Sequence, residues 1–401
     1  MGKVAAFSFS EARACVIDKL RGSGVRGQSE SVPLLDAAGR VLAGEVRADR
    51  DYPPVARSTR DGYAVRAADL PGELRIAGEV RAGQTADLVV GSGQAVEIMT
   101  GAPVPPGADA VLMVEHAERF SDLVRTQRKV TAGEFINPRG AEASAGQVLL
   151  PRGLRLDFAH VNLLAMVGMT KVEVYRRPRV AIIATGDEMV EAHLKPLSHQ
   201  IRNSNAHSLA VQVRRAGGEP LILPVAGDTL AALRPLLERG LAADLLLLSG
   251  GVSAGKYDLV EPALAALGAE FYFDRVLIQP GQPLVFGRAR GTFFFGLPGN
   301  PASTMVTFEV FARAAVELLG GEAEPSLRMP FARLTQDFRH KPGLTRFLPA
   351  RLSADCSEVT PLGWQGSSDV PSIAAAGAFL VADATRETWS AGDWIRILLK
   401  Q

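Results

Sequence analysis

A glycine-rich segment that follows an unbroken apolar run is the part of this sequence best suited to hold an anion. Residues 244–258 read Asp-Leu-Leu-Leu-Leu-Ser-Gly-Gly-Val-Ser-Ala-Gly-Lys-Tyr-Asp. The apolar run predicts a buried parallel strand, and ligands bind beyond the carboxyl ends of such strands. Gly250, Gly251 and Gly255 tolerate positive φ angles, so successive backbone N–H groups can converge on a phosphate. The alternative for this loop alone is a tight turn in which Asp258 caps the next helix.

Acidic side chains follow other predicted strands. The loops are Thr185-Gly186-Asp187-Glu188 and Gly227-Asp228-Thr229. In a parallel sheet these loops and the Ser249 loop reach one edge, so Glu188, Asp228 and Asp258 would converge there. Mg²⁺ takes one or two carboxylates together with substrate phosphates and keeps several waters. The joint pattern therefore predicts a magnesium site, although each carboxylate alone is more often a helix cap.

A fourth loop, Gly296-Leu297-Pro298-Gly299-Asn300-Pro301, precedes a helix predicted to begin near Ala302 or Ser303. The first N–H groups of a helix have no partner within the helix and carry a partial positive charge, so they can bind an oxyanion. The alternative is that the prolines only fix the start of the helix.

The elements that position these loops alternate between strand and helix. Predicted strands cover residues 180–184, 220–225, 244–249 and 293–295, and predicted helices cover 204–216, 229–239, 257–267 and 303–319. Such alternation indicates a three-layer α/β domain with a parallel sheet and right-handed crossovers. We assign this domain to residues 178–327.

The rest of the chain predicts three further regions. Short strands separated by glycine and proline indicate an inserted β-rich module at 51–145, and short strands after Pro330 indicate a C-terminal β-barrel at 328–401. Residues 1–50 and 146–177 form a helical linker region. There, Ser8 and Glu11 make a capping box, and residues 34–46 read as a second short helix with Leu35 facing inward.

Composition excludes several classes of protein. The chain of 401 residues has 44 basic and 43 acidic side chains, so no strong field favours nucleic acid or an anionic membrane. Cys15 and Cys356 are far apart, the six histidines lack zinc-ligand spacing, and no Walker lysine motif is present. Residues 1–7 lack the apolar core of a signal peptide, and no run approaches the roughly 20 apolar residues of a membrane span. We expect a cytoplasmic protein.

Five motifs together resemble a known family, the MoeA molybdopterin molybdenumtransferases, which includes the E domain of gephyrin. They are Asp61-Gly62-Tyr63-Ala64-Val65, Met99-Thr100-Gly101-Ala102-Pro103, Thr185-Gly186-Asp187-Glu188, Ser249-Gly250-Gly251-Val252-Ser253 and Leu297-Pro298-Gly299-Asn300-Pro301. The resemblance spans nearly the whole chain. It implies a homodimer that uses Mg²⁺ to insert molybdate, its co-substrate, into adenylylated molybdopterin and to release AMP.

The resemblance also implies roles for single residues. The catalytic set is Asp61, Thr100, Glu188, Asp228 and Asp258, with Glu188 and Asp258 as Mg²⁺ ligands and with Asp61 and Thr100 supplied by the partner subunit. Substrate-binding positions are Thr185, Gly186, Ser249, Gly250, Gly251, Ser253, Arg139, Arg275, Pro298, Asn300, Pro301 and Ser303. A molybdopterin adenylyltransferase is a possible partner that delivers the substrate.

One segment departs from the family pattern. Where the family usually has Lys-Pro-Gly-Lys-Pro, this chain has Gln279-Pro280-Gly281-Gln282-Pro283. Glutamine donates hydrogen bonds but carries no charge, so anion binding would be weaker or would depend on other cations. Arg275, Lys256 and Arg288 are the candidates for that compensation.

Two alternative functions fit parts of the sequence. The Ser-Gly-Gly loop alone also suits a molybdopterin adenylyltransferase, but a one-domain adenylyltransferase lacks the β-rich module and the barrel. A non-catalytic carrier or scaffold of the same fold is the second alternative, and the two glutamines keep it open. Release of AMP in the presence of molybdate would separate a carrier from an enzyme.

Overall fold

The computed structural model describes residues 6–24, 27–251 and 259–400. The chain divides into two compact units. The larger unit comprises Met1–Ala43, Gly153–Val161 and Lys171–Gln401, and the smaller unit comprises Gly44–Arg152 and Asn162–Thr170. Val252, Ser253, Gly255, Lys256 and Asp258, which the sequence places in the glycine loop, lie outside the described residues.

The first helix of the larger unit, Phe9–Gly22, begins with the predicted capping box. The Glu11 carboxylate accepts the Ser8 N–H at 2.8 Å, and Ser8 Oγ accepts the Glu11 N–H at 3.3 Å. Its buried face, Ala12, Val16 and Leu20, packs into the core of the α/β domain. The capping residues thus fix the start of the helix, and its apolar face forms part of the core.

The prediction of a helix over residues 34–46 is wrong. Only Leu34–Ala37 forms a short 3₁₀ turn, and Leu35 is 83% exposed. Gly39 adopts φ +75°, which ends the turn. The N–H groups of Leu42 and Ala43 then pair with the carbonyls of Leu154 and Glu173 instead of continuing a helix.

Other pairings complete this region of the larger unit. The strand Ser29–Pro33 pairs antiparallel with Lys171–Tyr175. The helix Phe158–Met166 lies within the predicted helical linker region 146–177; its residues 158–161 belong to the larger unit and its residues 162–166 to the smaller unit.

The smaller unit is built on a six-stranded sheet. In spatial order its strands are Ala110–Met113, Gly62–Val65, Gln94–Ile98, Gly72–Val80, Leu123–Thr126 and Glu118–Phe120. Two shorter pairs accompany it, Val46–Arg47 with Val148–Leu150 and Arg57–Ser58 with Ile136–Asn137. Alternate residues of the strand Gly62–Val65 enter separate clusters, Tyr63 and Val65 in one and Ala64 in the other. Both faces of this strand are therefore covered, as its unbroken burial requires.

The α/β domain contains a second six-stranded sheet. In spatial order its strands are Glu219–Ile222, Arg179–Ala184, Leu245–Ser249, Thr292–Leu297, Val285–Ala289 and Glu270–Phe273. The first four are parallel, which confirms the predicted parallel core of the sheet. Val285–Ala289 runs antiparallel to Thr292–Leu297 and forms a hairpin with it, and Glu270–Phe273 pairs antiparallel with Val285–Ala289 at the edge of the sheet.

Helices cover both faces of this sheet. They are Asn205–Arg215, Leu230–Gly240, Val260–Ala266 and Pro301–Thr307, the last continuing through a π-helical turn, Phe308–Ala312, into Arg313–Leu319. Leu245 and Leu247 belong to the core on one face, and Leu246 and Leu248 belong to the core on the other. Each fully buried leucine contributes about 1.5–3 kcal/mol, so this strand is rigidly held up to Ser249.

The C-terminal region is the predicted β-barrel. Its strands form a closed ring in the order Thr345–Leu352, Glu358–Pro361, Phe331–Leu334, Trp394–Leu399 and Ala378–Ala382. A short pair joins Phe338–Arg339 to Thr388–Trp389, and a short helix covers Val370–Ala375. In the α/β domain, a separate short pair joins Met189–Val190 to Ile201–Arg202. The segment Ile278–Gln279 pairs with the first barrel strand.

Among the described residues, none of the helices has both the length and the apolarity needed to cross a membrane.

Candidate functional site

The loops after the parallel strands meet at one edge of the α/β sheet, as predicted. The Thr185 N–H donates to the Ser249 carbonyl at 3.1 Å, and the Gly250 N–H donates to the Leu297 carbonyl at 3.1 Å. The Gly186 N–H reaches the carbonyl of Ala226, also at 3.1 Å. These bonds continue the sheet for one residue and place all of the chemistry-bearing loops side by side.

Gly250 and Gly251 adopt the left-handed conformation, with φ angles of +93° and +67°. A Cβ on Gly250 would lie 3.0 Å from the Thr185 carbonyl oxygen, and one on Gly251 would lie 2.9 Å from Thr185 Oγ1. Both the backbone angle and the space therefore require glycine. The prediction of positive φ angles is confirmed for Gly250 and Gly251, and Gly255 lies outside the described residues.

The Thr185 side chain has an unsatisfied hydroxyl group. It is 7% exposed, and its Oγ1 has no hydrogen-bond partner among the residues that the structure describes. An unpaired buried polar group costs about 1–3 kcal/mol. Because this hydroxyl lies beside the glycine loop, we expect a bound ligand to supply its hydrogen-bond partner.

Asn205, which we did not single out from the sequence, joins two site loops. Its Nδ2 donates to Ser249 Oγ at 2.9 Å and to the Gly299 carbonyl at 2.7 Å. The residue is 4% exposed and begins the helix Asn205–Arg215. The only sequence signal was an asparagine at a helix start, which is ordinarily a cap.

Among the acidic residues of the site, Asp187 and Asp228 form a hydrogen-bonded pair, and Glu188 is a single exposed carboxylate. Asp187 Oδ1 accepts the Asp228 N–H at 2.9 Å, and Asp228 Oδ2 accepts the Asp187 N–H at 3.3 Å. Glu188 is exposed, and its carboxylate lies over Gly186, where a Cβ would come within 2.5 Å of Oε2. The described residues thus place Asp228 against Asp187 and not against Glu188.

The magnesium site stays a prediction, and one of its two predicted ligands lies among the described residues. Within residues 6–24, 27–251 and 259–400, no group of three or more His, Cys, Asp and Glu side chains could hold a metal ion. Asp258, the second predicted ligand, lies outside that range. Glu188 offers an exposed carboxylate at the phosphate edge, which suits an ion that takes one or two carboxylates and keeps several waters.

A pocket of about 290 Å³ lies where the Gln279–Pro283 segment faces the loop before the helix Pro301–Thr307. Its lining consists of Ile278, Gln279, Pro280, Gly281, Gln282, Pro283, Pro298, Asn300, Ser303, Leu344 and Ser367. Every polar side chain in this lining is uncharged. The two glutamines that depart from the family pattern therefore face the predicted anion-binding loop.

The cations predicted to compensate do not line this pocket. The exposed Arg275 accepts the Phe7 N–H with its carbonyl, and this is a contact of its backbone. The Arg288 guanidinium stacks 5.1 Å from the centre of the Phe293 ring and donates to the Gly291 carbonyl. Lys256 lies outside the described residues.

The start of the helix Pro301–Thr307 is partly occupied by the barrel. Pro301 is its first residue, as predicted for a fixed helix start. The Ala302 N–H donates to the Ser367 carbonyl at 2.9 Å, and Asn300 Nδ2 donates to Ser367 Oγ at 2.8 Å. One of the N–H groups expected to bind an oxyanion is therefore used within the protein, and the buried Ser303 lies one residue further on.

In the smaller unit, Asp61 and Thr100 are in direct contact. Asp61 Oδ1 accepts the Thr100 N–H at 2.7 Å and the Thr100 hydroxyl at 2.8 Å. These bonds, the backbone bond first, lower the pKa of Asp61 below its ordinary value. The motif therefore holds an ionised, exposed carboxylate in a fixed position.

Arg139, the predicted anion contact of the smaller unit, already has an acidic partner. Its Nε donates to Asp51 Oδ2 at 2.6 Å. Asp51 also accepts the Ala145 N–H at 2.8 Å, and this bond, followed by the one from Arg139, lowers the pKa of Asp51. Binding of an anion by Arg139 would have to compete with this ion pair.

Comparison with known families agrees with this arrangement. Residues 7–168 match the MoeA N-terminal region (domain I and II), residues 181–318 match a probable molybdopterin binding domain, and residues 332–400 match the MoeA C-terminal region (domain IV). The strand Leu245–Ser249, the start of the glycine loop, the neighbouring strand Thr292–Leu297 and residues 181–184 of the other neighbouring strand fall within the second match. The fold and site therefore define a multidomain protein of the molybdopterin-binding class.

Individual relatives narrow that class. The chain is 34% identical to the molybdopterin molybdenumtransferase of Bacillus subtilis (strain 168), over 93% of this chain and 90% of that protein. It is 38% identical to the Nostoc sp. molybdopterin molybdenumtransferase, over 74% of this chain and 70% of that protein. The crystal structure of the molybdopterin biosynthesis MoeA protein from Pyrococcus horikoshii OT3 matches with a TM-score of 0.83 at 28% identity, covering 98% of this chain and 100% of that one. The chain belongs to the MoeA family of molybdopterin molybdenumtransferases.

Proposed function

We propose that this protein inserts molybdenum from molybdate into adenylylated molybdopterin, with release of AMP, in molybdenum cofactor biosynthesis. The observation that carries the proposal is the convergence of the family's glycine loop with the unpartnered Thr185 hydroxyl at the ligand-binding edge of the sheet. The adenylyltransferase alternative is not favoured, because the regions outside the α/β domain also match MoeA regions.

The glycine loop and its neighbours would hold the substrate. Backbone N–H groups near Gly250 and Gly251 can bind phosphate oxygens, and the Ser249 and Thr185 hydroxyls can complete that shell. Cleavage of the adenylyl group separates AMP from the pterin phosphate, so negative charge develops on phosphate oxygens. Groups that are fixed before the reaction stabilise this charge most effectively.

Mg²⁺ is part of this proposal, with Glu188 and Asp258 as its ligands and Asp228 beside them. When bound, the ion would neutralise charge on the phosphate oxygens. The exposed Glu188 carboxylate supports the assignment. The backbone bonds between Asp187 and Asp228 support it too, because they hold the Asp228 carboxylate at this edge of the sheet.

The pocket between Gln279, Gln282 and Asn300 is the proposed molybdate site. It is lined by amide and hydroxyl groups, which donate hydrogen bonds to an oxyanion without contributing charge. We expect weaker binding of molybdate than in relatives with lysines at both positions, because charge-assisted hydrogen bonds are stronger than neutral ones.

A homodimer completes the proposal. Asp61 and Thr100 of the partner subunit would reach the substrate held by the α/β domain. The Asp61–Thr100 pair supports this role, since the two bonds from Thr100 fix an exposed, ionised carboxylate in position. Delivery of the substrate by an adenylyltransferase and a cytoplasmic location stay predictions from the sequence.

Genetic complementation tests the proposed function. A bacterial strain without its molybdopterin molybdenumtransferase, grown with limiting molybdate, should regain nitrate reductase activity when it expresses this protein. The Gly250→Ala variant is a suitable inactive control, because a Cβ there would clash with Thr185. Failure of the well-expressed wild-type protein to restore activity would favour the carrier alternative.

A further inference from the structure

Asn205 has a position that a simple helix cap does not explain. Its Nδ2 donates both to Ser249 Oγ, at the end of the central strand, and to the Gly299 carbonyl, in the loop after the next strand. Asn205 Oδ1 is buried and has no hydrogen-bond partner within the part of the chain that the structure describes. The residue therefore connects two substrate loops and keeps one acceptor unused.

The partners of Asn205 determine which way its amide points. A carbonyl oxygen only accepts hydrogen bonds, so the group 2.7 Å from the Gly299 oxygen must be the amide nitrogen. The same nitrogen then donates to Ser249 Oγ. The Ser249 oxygen is consequently an acceptor in this bond, and its own proton is directed elsewhere.

The Ser249 hydroxyl proton has no acceptor in the described parts of the chain. Ser249 is 0% exposed. Among the described residues, its hydroxyl accepts one hydrogen bond, from Asn205 Nδ2. The neighbouring Thr185 Oγ1 is also buried and unpartnered. Two hydroxyl donors thus lie beside the glycine loop, where an anionic ligand would satisfy both.

We propose that Asn205 is a positioning residue that sets the polarity of Ser249. Asn205 donates a hydrogen bond to the Ser249 oxygen. The Ser249 proton is therefore left to donate to a phosphate oxygen of the substrate. The inference rests on the proposed function, because it assumes that the glycine loop holds the phosphate. It goes further by assigning a role to a residue that carries no charge and is not part of the glycine loop.

The Asn205→Asp variant tests this polarity. The new carboxylate has nearly the same shape but lacks N–H donors, so the Ser249 hydroxyl would turn to donate to it. The substrate would then lose that hydrogen bond. We expect the KM for adenylylated molybdopterin to rise about tenfold, the scale of one charge-assisted hydrogen bond, with a smaller effect on kcat.

A double-mutant cycle separates polarity from general damage to the loops. If Asn205 acts through the Ser249 proton, Asn205→Asp should raise KM by no more than about threefold in a Ser249→Ala background, because that proton is already absent. The cycle is repeated with Asn205→Ala in case the aspartate variant does not fold. Equal factors on KM in both backgrounds, for whichever variant folds, would overturn the proposal.

Asn203 provides a matched control. It is 2% exposed, and its Oδ1 accepts the Ala206 N–H at 3.2 Å, so it caps the same helix without contacting Ser249. Asn203→Ala should lower Tm and leave KM within about twofold of wild type. A tenfold rise in KM for this control would show that helix stability, and not Asn205, controls binding. If wild-type protein releases no AMP, the proposed function fails; if wild type and all variants share one KM, only the role of Asn205 fails.

Discussion

Asp187 and Asp228 exchange hydrogen bonds between two site loops, each carboxylate accepting the backbone N–H of the other residue. The distances are 2.9 Å to Asp187 Oδ1 and 3.3 Å to Asp228 Oδ2. This exchange holds the loop after Arg179–Ala184 against the loop after Glu219–Ile222. It also leaves one oxygen of each carboxylate available to a ligand.

Variants of Asp228 separate its charge from this structural role. In Asp228→Asn the amide oxygen can still accept the Asp187 N–H, so the free energy of unfolding should change by less than about 0.5 kcal/mol. AMP release should nevertheless fall by about tenfold or more, since the charge near the phosphates is lost. Asp228→Ala should lose AMP release and, in addition, about 1 kcal/mol of stability. Full activity of Asp228→Asn would limit Asp228 to a structural role.

Replacing Thr185 should have opposite effects on stability and on binding. Thr185→Val removes a buried hydroxyl that lacks a partner, so the free energy of unfolding should increase by about 1 kcal/mol. The KM for adenylylated molybdopterin should rise, because the substrate loses that hydroxyl.

Thr292→Val is the matched control for this measurement. Thr292 Oγ1 donates to the Leu241 carbonyl at 2.8 Å, so its removal should cost stability and leave KM unchanged. If Thr185→Val were destabilising and had no effect on KM, the hydroxyl would have a structural partner instead of a ligand.

The ionisation of Asp61 should depend on Thr100. The folded pKa of Asp61 is lowered, so its ionised form stabilises the fold above the ordinary pKa, and this contribution is lost as pH falls through the lowered value. Thr100→Val removes the hydroxyl bond and keeps the backbone bond. The pKa of Asp61 should therefore rise part of the way toward its ordinary value. Carboxyl ¹³C NMR titration measures the change.

Asp355 is an internal standard for that titration. Bonds from Ser353 and Ser357 lower its pKa to about 2, so its pKa is set by residues other than Thr100. Its titration should be the same in both proteins. An unchanged Asp61 titration in the variant would mean that the hydroxyl bond to Thr100 does not form in solution.

Mixing two inactive variants tests the shared active site. Asp61→Asn and Glu188→Gln place their defects in different units of the chain. In a randomly mixed dimer population, about a quarter of the sites would combine wild-type Asp61 with wild-type Glu188 from the other subunit. AMP release should therefore recover to about that fraction. No recovery after demonstrated subunit exchange would place the site within one chain.

The glutamine pocket allows a gain-of-function experiment. Gln279→Lys with Gln282→Lys should lower the molybdate concentration for half-maximal AMP release, by at most about tenfold per effective contact. The gain should shrink with added salt, because screening acts over roughly 8 Å at about 0.15 M. Gln84→Lys with Gln127→Lys adds the same charge at exposed positions outside the pocket lining and should have no effect. No gain at low salt would remove the pocket as the molybdate site.

Much of the α/β domain could be predicted because its buried strands are continuous apolar runs in the sequence. The run Leu245–Leu248 has to lie inside a sheet, and the small residues after it mark the edge where ligands bind. The hairpin of Val285–Ala289 and Thr292–Leu297 was missed, although Arg290 and Gly291, both with positive φ, give its turn signal. The predicted helix over residues 34–46, with Leu35 facing inward, is wrong because the backbone of this region pairs with distant segments instead of forming a helix.

The site was only partly predictable, for a related reason. Positions inside motifs, such as Thr185 and Gly250, could be found because glycine and hydroxyl residues cluster after strands. Asn205 could not, since its contacts with Ser249 and Gly299 are separated from it by 44 and 94 residues. The same holds for Ser367, which reaches the helix Pro301–Thr307 from the barrel.

AMP release from adenylylated molybdopterin, measured with and without molybdate, tests the central claim most directly. Purified protein, Mg²⁺ and substrate are incubated, and the product is offered to a molybdoenzyme that lacks its cofactor. We predict AMP release together with one activated molybdoenzyme for each AMP formed, and activation only when molybdate is present. Tight binding of the substrate without release of AMP, or release of AMP without activation in the presence of molybdate, would contradict the assignment as a molybdenumtransferase.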